Sequence, residues 1–232
     1  MFLTERATRV AAAAACALAV AAGCSSGGDD DAPDPNRQID VTTMRGALLQ
    51  ANEIGPTWTP PDDTPNANQL VSICGGTTTA PPVPPGGQVV AASFVDEGEK
   101  GAQTLDQTAL VYPDVTAAQA GQAALQGLAE SCQKNLSVPA VVNADRSEPA
   151  YTETVDLQPL NQGGWTGTVV LRHKKYEPKH PGTADTAVAI LQTGNVVLVD
   201  AYAIYQLGSA TPAANFSADW QKLVGSVVQR VG

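Results

Sequence analysis

The chain has 232 residues, of which 43% are hydrophobic and 16% are charged, and its 13 basic and 23 acidic residues give a formal net charge of -10. This composition is too apolar for an intrinsically disordered chain, and the 21 glycines and 17 prolines have no collagen-like period. We therefore expect one globular domain. Because the net negative charge repels phosphate backbones, we do not expect nucleic acid as a partner.

Residues 1–23 have the pattern of an export signal. Arg6 and Arg9 precede an uncharged run of alanine, valine and leucine that is too short for a transmembrane helix. The run ends in the motif AAGC, which resembles the bacterial lipobox, where the cysteine is acylated on its sulfur and becomes the first residue of the mature protein. In this chain that cysteine is Cys24. The alternative is an ordinary secretory signal, whose cleavage leaves a soluble protein.

Residues 24–39 are predicted to form a flexible tether, and residues 40–232 are predicted to form the folded domain. The tether is small, acidic and proline-containing, and it has no apolar periodicity. Two acyl chains on Cys24 give stable membrane attachment, whereas a single chain is marginal. The predicted location is therefore the extracytoplasmic face of the cell membrane, with the membrane as a partner through the lipid.

The four cysteines have different predicted roles. Cys16 lies in the export signal and is removed with it, and Cys24 is the lipidation site. The remaining two, Cys74 and Cys132, most simply form one disulfide in an exported domain. Two thiols without further cysteines or histidines at suitable spacing do not make a structural zinc site, so no metal is predicted.

The hydrophobic periodicity predicts an α+β domain. A helix at residues 43–54 precedes two strands, at residues 88–95 and 104–112, in hairpin order. An alanine-rich helix at residues 116–134 follows, with Cys132 in its last turn. The remaining predicted elements are four strands and a closing helix, at residues 151–157, 165–172, 186–192, 195–205 and 215–230. This order is typical of an antiparallel sheet with helices on one side.

Several short motifs together resemble a known family. They are the LL pair at residues 48–49, the CGG turn at 74–76, VYPD at 111–114 before the alanine-rich helix, and NVV at 195–197. On these motifs, residues 40–232 resemble the extracellular sensor domain of the mycobacterial serine/threonine kinase PknH, which also occurs alone in actinobacterial lipoproteins. The resemblance implies a single domain with a twisted antiparallel sheet, helices packed mainly on one face and a broad cleft for an extracellular ligand.

This chain differs from the family pattern at two places. The family usually has a second disulfide, whose cysteines would fall near Thr186 and near residues 201–203, and both are absent here. A tryptophan commonly precedes the cysteine at the helix end, whereas this chain has LAES at residues 128–131. The resemblance is therefore to a divergent, stand-alone lipoprotein member.

Catalytic sequence motifs are absent. The chain contains no Gly-x-Ser-x-Gly elbow, no P-loop and no Gly-x-Gly-x-x-Gly fingerprint. Its two histidines, His173 and His180, lie among lysines and an arginine, which oppose protonation of an imidazole, and only Glu177 is a nearby carboxylate. We therefore predict a protein that is not an enzyme and uses no cofactor.

A basic stretch at residues 172–180 is prominent because the rest of the chain is acidic. One interpretation is a solvated strand end and loop. The other is a recognition patch for an anionic envelope component, such as a phospholipid headgroup or a phosphate-bearing wall polymer. The candidate binding residues of this patch are Arg172, His173, Lys174, Lys175, Lys179 and His180.

Two functional hypotheses follow from these observations. The first is a non-catalytic, membrane-anchored protein whose cleft binds a small or lipid-like ligand or an anionic envelope component. The second is a structural or interaction lipoprotein that docks to a membrane-protein partner in the envelope. A pocket lined by residues such as Trp58, which lies on a proline-flanked loop, and Tyr151 favours the first hypothesis. A filled sheet face with an exposed apolar patch favours the second.

Overall fold

A computed structural model gives the fold, and it describes residues 36–63, 66, 68–99, 101–142, 147–208 and 211–231. The predicted export signal, the lipidation site at Cys24 and residues 24–35 of the predicted tether lie outside the described residues. Within those ranges, no helix has the length and the apolar character that crossing a membrane requires.

A twisted antiparallel sheet of seven strands forms the centre of the domain. The spatial order of the strands is β1-β2-β9-β8-β7-β6-β3, and all neighbours are antiparallel. Their bounds are β1 Gln88–Gly98, β2 Gly101–Val111, β3 Asn135–Val138, β6 Tyr151–Gln162, β7 Trp165–Tyr176, β8 Gly182–Thr193 and β9 Val196–Leu207. Two short strands, β4 (Val141–Val142) and β5 (Ser147–Glu148), pair separately.

Helices cover both faces of the sheet. Helix α3 (Val115–Glu130) packs on one face through Ala118, Leu125 and Ala129, and we call this the α3 face. Helices α1 (Val41–Ala47) and α4 (Phe216–Val231) pack on the other, the α4 face. The predicted fold class, an α+β single domain with a twisted antiparallel sheet and one disulfide, is confirmed. The helices are spread over both faces, whereas the prediction placed them mainly on one.

The central strands explain the two helix layers. Eleven of the twelve residues of β8 and the first eight residues of β9 are buried, so these segments show no alternation of buried and exposed residues. In β8, Ala189 and Leu191 belong to the core of the α4 face, whereas Val188 and Ile190 belong to the core of the α3 face. A strand that is apolar on both sides requires cover on both sides.

The helix predicted at residues 43–54 is interrupted in the structure. It forms α1 and a single turn, α2 (Ala51–Ile54), with a break between them. At the break, the Leu49 N–H donates to Gln107 Oε1 of the sheet at 2.9 Å. Gln50 then caps α2 in a capping box with Glu53. The break lets both Leu48 and Leu49 enter the core, which one continuous helix face does not allow.

The last residues of the predicted tether belong to the domain. Ile39 is buried, and its N–H donates to Asn195 Oδ1 at 2.7 Å. The Asn195 Nδ2 group donates to the carbonyl oxygens of Ile39 and Tyr112, at 3.1 and 2.7 Å. Asn195 and Tyr112, which carry part of the family resemblance, therefore join the N-terminal segment to the ends of two strands.

The predicted disulfide between Cys74 and Cys132 is confirmed. Cys132 lies just beyond the end of α3, because the helix stops at Glu130 and Ser131 caps it. The bond ties the end of α3 to the loop that contains Leu70 and Ile73, and both of these side chains are buried in the core of the α3 face. The disulfide thus holds this loop against the α3 face beside the end of the helix.

Candidate ligand-binding site

Strand pairing divides the basic stretch between the two faces of the sheet. Residues 172–176 belong to β7, where successive side chains point to opposite sides. Arg172 pairs with Val155, which lies in the core of the α3 face, so Arg172 and Lys174 lie on that face. His173 and Lys175 lie on the α4 face. The six candidate residues therefore do not form one continuous patch.

Lys174 is enclosed by two aromatic rings and a carboxylate. Its ammonium lies 3.9 Å from the ring centroid of Tyr151 and 5.7 Å from that of Tyr176. The same ammonium lies 2.8 Å from Glu148 Oε1, which also accepts a hydrogen bond from the Tyr176 hydroxyl at 3.1 Å. Burial and the charge of Glu148 raise the pKa of Tyr176, so its hydroxyl stays protonated. The charge of Lys174 is thus balanced inside the fold.

The rings of Tyr151 and Tyr176 also form the wall of a cleft of about 730 Å³, which we call the tyrosine cleft. The two rings meet edge to face, with centroids 5.7 Å apart. Thr152, Lys175 and Glu177 add polar groups to the lining. The rest of the wall is mostly aliphatic and includes Val138, Pro139, Ala150, Pro178 and Pro181. This combination of volume, apolar wall and few polar groups is typical of small-molecule sites.

Arg172 lines a smaller polar cavity of about 250 Å³, which we call the arginine cavity. The Arg172 side chain is 14% exposed, and its Nε lies 3.8 Å from Glu153 Oε1, which is beyond hydrogen-bonding distance. The Nε–H has no hydrogen-bond partner. Burial lowers the pKa of Arg172, and the negative charge of Glu153 opposes this effect. The cavity therefore contains a charged donor whose hydrogen bond is not satisfied.

A glycine turn holds Glu153 beside Arg172. Glu153 Oε2 accepts a hydrogen bond from the Gly76 N–H at 2.7 Å. Gly75 and Gly76 have φ angles of +72° and +60°, a region that favours glycine. A Cβ on Gly75 would also collide with the Glu153 carboxylate. The CGG turn that carries part of the family resemblance therefore packs on a buried acid.

His173 has a structural role on the α4 face. Its Nδ1 lies 2.7 Å from Asp185 Oδ1. The other oxygen of Asp185 accepts a hydrogen bond from the Ala213 N–H at 3.0 Å. This pair fastens the segment before α4 to the sheet. Within the described parts of the chain, no three histidine, cysteine or acidic residues are grouped so that they could hold a metal ion.

The end of the basic stretch is exposed. His180 Nδ1 lies 3.1 Å from Glu177 Oε1 in a pair that is exposed to solvent. Pairs of this kind contribute little to stability. Lys179 and Lys175 are also exposed, and Lys175 reaches the lining of the tyrosine cleft. These residues have the environment of the solvated loop that the first interpretation expects.

Trp58 is a core residue beside a small cavity. It is 9% exposed and belongs to the hydrophobic core of the α4 face. The cavity, of about 160 Å³, lies between α2 and α4 and is also lined by Ile54 and Leu223. Trp58 and Tyr151 therefore line two separate cavities: Trp58 lines this small cavity and Tyr151 lines the tyrosine cleft.

A fourth cavity, a cleft of about 530 Å³, lies beside the edge strand β1 on the α3 face. Its wall is formed by β1 side chains such as Val89 and Ala91 and by a loop that includes Leu70. Asp106 also lines it, and burial raises the pKa of this carboxyl while a hydrogen bond from Ser93 lowers it. No aromatic ring is among its described lining residues, so it offers less apolar contact area than the tyrosine cleft.

The fold is similar to that of a solved structure. The crystal structure of the extracellular domain of PknH from Mycobacterium tuberculosis aligns with this chain at a TM-score of 0.53, covering 84% of this chain and 98% of that chain. The fold is PknH-like. Sequence identity is 13%, so the similarity concerns the fold alone. No family model matches the sequence, and no curated protein matches it.

Of the residues around these cavities, the sequence pointed to Tyr151 but not to Tyr176 or to the acids Glu148 and Glu153. Tyr151, Glu153 and Val155 alternate as buried residues along β6, between exposed residues. A glutamate at a buried position of an alternating strand needs a cation or hydrogen-bond donors. That signal was available in the sequence, but the identity of the donors was not, because Arg172 and Gly76 lie far away along the chain.

Proposed function

We propose that this chain is a non-catalytic protein of the extracytoplasmic face, anchored by a lipid on Cys24, that binds an apolar or amphiphilic small molecule in the tyrosine cleft. The PknH-like fold supports an extracytoplasmic domain, and the AAGC motif supports the anchor. The observation that carries the ligand proposal is the cleft of about 730 Å³ with two tyrosine rings in its wall.

The orientation of the two tyrosines indicates the chemistry of the ligand. The Tyr151 hydroxyl donates to the Gly76 carbonyl oxygen at 3.2 Å, and the Tyr176 hydroxyl donates to Glu148. Both hydroxyls are thus used within the protein. The ring surfaces that remain for the cleft are apolar, and tyrosine rings provide such contact area at low conformational cost. An apolar body is therefore the part of a ligand that this wall recognises.

The polar groups of the cleft suit binding better than catalysis. Its lining includes Lys175 and Glu177 but no histidine or cysteine among the described residues. Tyr176 stays protonated at neutral pH because its pKa is raised. A general base with a pKa near 7 is what acid–base catalysis needs, and tyrosine, lysine and glutamate all require a strong pKa shift to supply one.

Blocking the cleft tests the proposal. Ala150 is half-buried in the cleft wall, and Ala150→Trp would place a bulky ring in the cleft without removing any side-chain hydrogen bond of its lining. We expect wild-type protein to bind cis-parinaric acid saturably, with a rise in fluorescence, and the variant to bind at least tenfold more weakly, since a filled pocket loses its apolar contact with the ligand. Ala120→Trp, on the exposed side of α3, is the matched control and should bind as the wild type does.

Two results would contradict the proposal: no saturable binding to the wild type, or equal binding to the Ala150→Trp variant. Near-ultraviolet circular dichroism would show that both variants are folded. Native mass spectrometry of the protein extracted from its host membrane would then identify the ligand, as added mass that the Ala150→Trp variant lacks.

The alternative of an interaction lipoprotein has less support from the described surface. The large exposed apolar side chains there are distributed over three elements, with Leu128 on α3, Val142 on β4, and Tyr205 and Leu207 on β9. A docking surface for a protein partner usually presents its apolar residues as one contiguous patch. The tyrosine cleft is the more complete binding feature.

A further inference from the structure

The outer edge of β1 carries backbone groups without a partner. β1 is the first strand of the sheet and pairs with β2 on one side only. In an antiparallel pair, the N–H and C=O groups of every second residue point to the partner strand and those of the residues between them point away. On the outer side, Val95 exchanges two hydrogen bonds with Thr59, at 2.8 and 2.9 Å, so Ser93, Ala91 and Val89 also point outward. Within the described residues, these three have no backbone hydrogen bond on that side.

Two prolines stop the chain from covering this edge itself. Thr59 pairs antiparallel with Val95, so Pro61, two residues further along, is the residue that would face Ser93. Proline has no N–H and cannot donate to the carbonyl oxygen of Ser93. Pro60 and Pro61 instead line the cleft of about 530 Å³ beside β1, which we call the β1 cleft. The protein thus begins an additional strand at Thr59 and ends it before the three outward positions.

The β1 cleft lies against the backbone of this edge. Its lining includes the consecutive residues Ala91, Ala92 and Ser93. Successive side chains of a strand point to opposite faces, so a cavity that contacts three residues in a row contacts the edge of the strand. Ala91, the central outward position, is exposed to solvent. A ligand can therefore reach these backbone groups.

This part of the edge lacks the features that usually protect an edge strand. Natural proteins protect such strands with charged side chains, prolines or bulges. From Gln88 to Val95 the sequence is QVVAASFV, which contains no charge and no proline, and it pairs with β2 without a bulge. The acids Asp96 and Glu97 follow only beyond the bridge to Thr59. The open part of β1 is therefore suited to pairing with another extended chain.

We infer that the β1 cleft binds an extended peptide segment of a partner protein, which adds to the sheet as a strand beside β1. The outward N–H and C=O groups of Ser93, Ala91 and Val89 would bond to the main chain of the peptide, as in other cases of strand addition. Most of the remaining wall is small or apolar, and Asp106 is the one charged residue among the described lining residues. A segment with small apolar side chains and without acids fits this wall.

Two other occupants fit less well. The chain's own residues 29–35, with the sequence DDDAPDP, combine acids that Asp106 would repel with prolines that interrupt a strand. A second copy would bring a whole sheet edge to β1, where a loop that includes Pro61 and Leu70 also lines the cleft. The space beside β1 therefore suits a single strand. This inference goes beyond the proposed function and does not rest on the ligand of the tyrosine cleft.

A peptide probe tests the inference through the backbone. Phage-displayed random heptapeptides would be selected on the full-length protein, and the enriched peptides would be synthesised for fluorescence anisotropy. Methylation of an amide nitrogen removes one donor. Methylating the peptide amides one at a time should weaken binding by about tenfold at every second position and leave it unchanged between them, because only every second N–H of a strand points to its neighbour.

A proline at the edge tests the same bonds from the side of the protein. Ala91→Pro removes the central outward N–H and leaves the hydrogen bonds to β2 in place, since proline is tolerated at edge positions of this kind. It should weaken peptide binding at least tenfold. Glu97→Pro, at an outward position beyond the bridge to Thr59, is the matched control outside the cleft and should bind as the wild type does. In the wild type, the peptide should slow hydrogen exchange of the Ala91 and Ser93 amides, measured by nuclear magnetic resonance.

The inference is overturned if no peptide is enriched, if methylation has the same effect at every position, or if the peptide leaves the exchange of the Ala91 and Ser93 amides unchanged. A wild-type dimer in analytical ultracentrifugation that Ala91→Pro dissociates would also overturn it, because a second copy then occupies the edge. Ala150→Trp should bind the peptide as the wild type does, and Ala91→Pro should bind cis-parinaric acid as the wild type does. These two results separate a failure of this inference from a failure of the proposed function.

Discussion

Asp200 is a fully buried carboxylate at the centre of the sheet, on the α4 face. The Gln107 Nε2 group donates to Asp200 Oδ2 at 2.6 Å, and Gln107 Oε1 accepts the Leu49 N–H. The second oxygen, Oδ1, has no hydrogen-bond partner. Burial, assisted by the charge of Asp106 and opposed by the bond from Gln107, raises the pKa of Asp200 to about 7. Through Gln107, Asp200 is connected to the hydrogen bond at the break between α1 and α2.

Asp200 makes the stability of the domain depend on pH. Its pKa is raised from 3.8 to about 7 by folding, so between these values the folded protein holds a proton that the unfolded chain has lost. The free energy of unfolding therefore falls as pH rises, by about 3 kcal/mol between pH 5 and pH 8. In the Asp200→Asn variant, the free energy of unfolding measured with urea should not show this fall between the two pH values. An equal fall in Asp200→Asn and wild type would contradict the prediction. Asp62→Asn, at an exposed position, should behave as the wild type does.

At the scale of elements, α3 and the loop that it is bonded to control the open part of the α3 face. Asp114 begins the helix, with its Oδ1 accepting the Ala117 N–H at 2.8 Å. Gly121 lets the helix approach the Tyr112 ring closely, since a Cβ there would collide with the Tyr112 hydroxyl. At the other end, the disulfide brings the CGG turn against Glu153. One helix thus positions the lining of the arginine cavity.

Removing the disulfide should destabilise the domain and disturb this cavity. Cys74 and Cys132 are 58 residues apart, and closing a loop of this length contributes about 4 kcal/mol by the chain-entropy estimate. We expect the double variant Cys74→Ala/Cys132→Ala to unfold at a correspondingly lower urea concentration. Wild-type protein reduced with dithiothreitol is the control and should show the same loss. Unfolding of the double variant at the wild-type urea concentration would contradict this estimate.

At the scale of the whole molecule, the net negative charge bears on how the chain could be attached to a membrane. The chain has a net charge of -10, and removal of residues 1–23 would take away two arginines and one glutamate and leave it at -11. In the described domain, several basic side chains pair with acids, as Lys174 does with Glu148 and Arg230 does with Glu53. An acidic surface next to an anionic membrane is repelled by it. The membrane attachment that we propose therefore depends on the lipid on Cys24 and not on surface charge.

The anchor is tested at Cys24. We expect the protein from the membrane fraction to yield an N-terminal peptide that begins at Cys24 and carries acyl chains, because two chains are needed for stable attachment. Cys24→Ala should move the protein out of the membrane fraction. A mature N-terminus at another residue, without lipid, would contradict the lipoprotein proposal. Cys16→Ala, in the discarded part of the signal, is the matched control and should leave the attachment unchanged.

Most of the fold was predictable because its elements have strong local patterns. The hairpin of β1 and β2, helix α3 and the closing helix α4 all fall within a few residues of their predicted positions. The short strand β3 was missed because its four residues carry no clear periodicity and pair only with the start of β6. The sequence predicts one continuous helix at residues 43–54, because the hydrogen bond from Leu49 to Gln107 that accompanies the break is a tertiary contact.

Local periodicity and residue counts were sufficient to predict the class of the domain, its cysteine pairing and the acidic composition of the chain. The tertiary structure alone decided what the basic stretch does. Period-two alternation in β7 placed Arg172 and Lys174 on one face and His173 on the other. Each of the three side chains lies beside an acid from another strand of the fold, and these acids are Glu153, Glu148 and Asp185 respectively. This pairing decided which cations of the stretch are buried beside an acid, since burial and the distance to a partner are properties of the fold and not of the residue type.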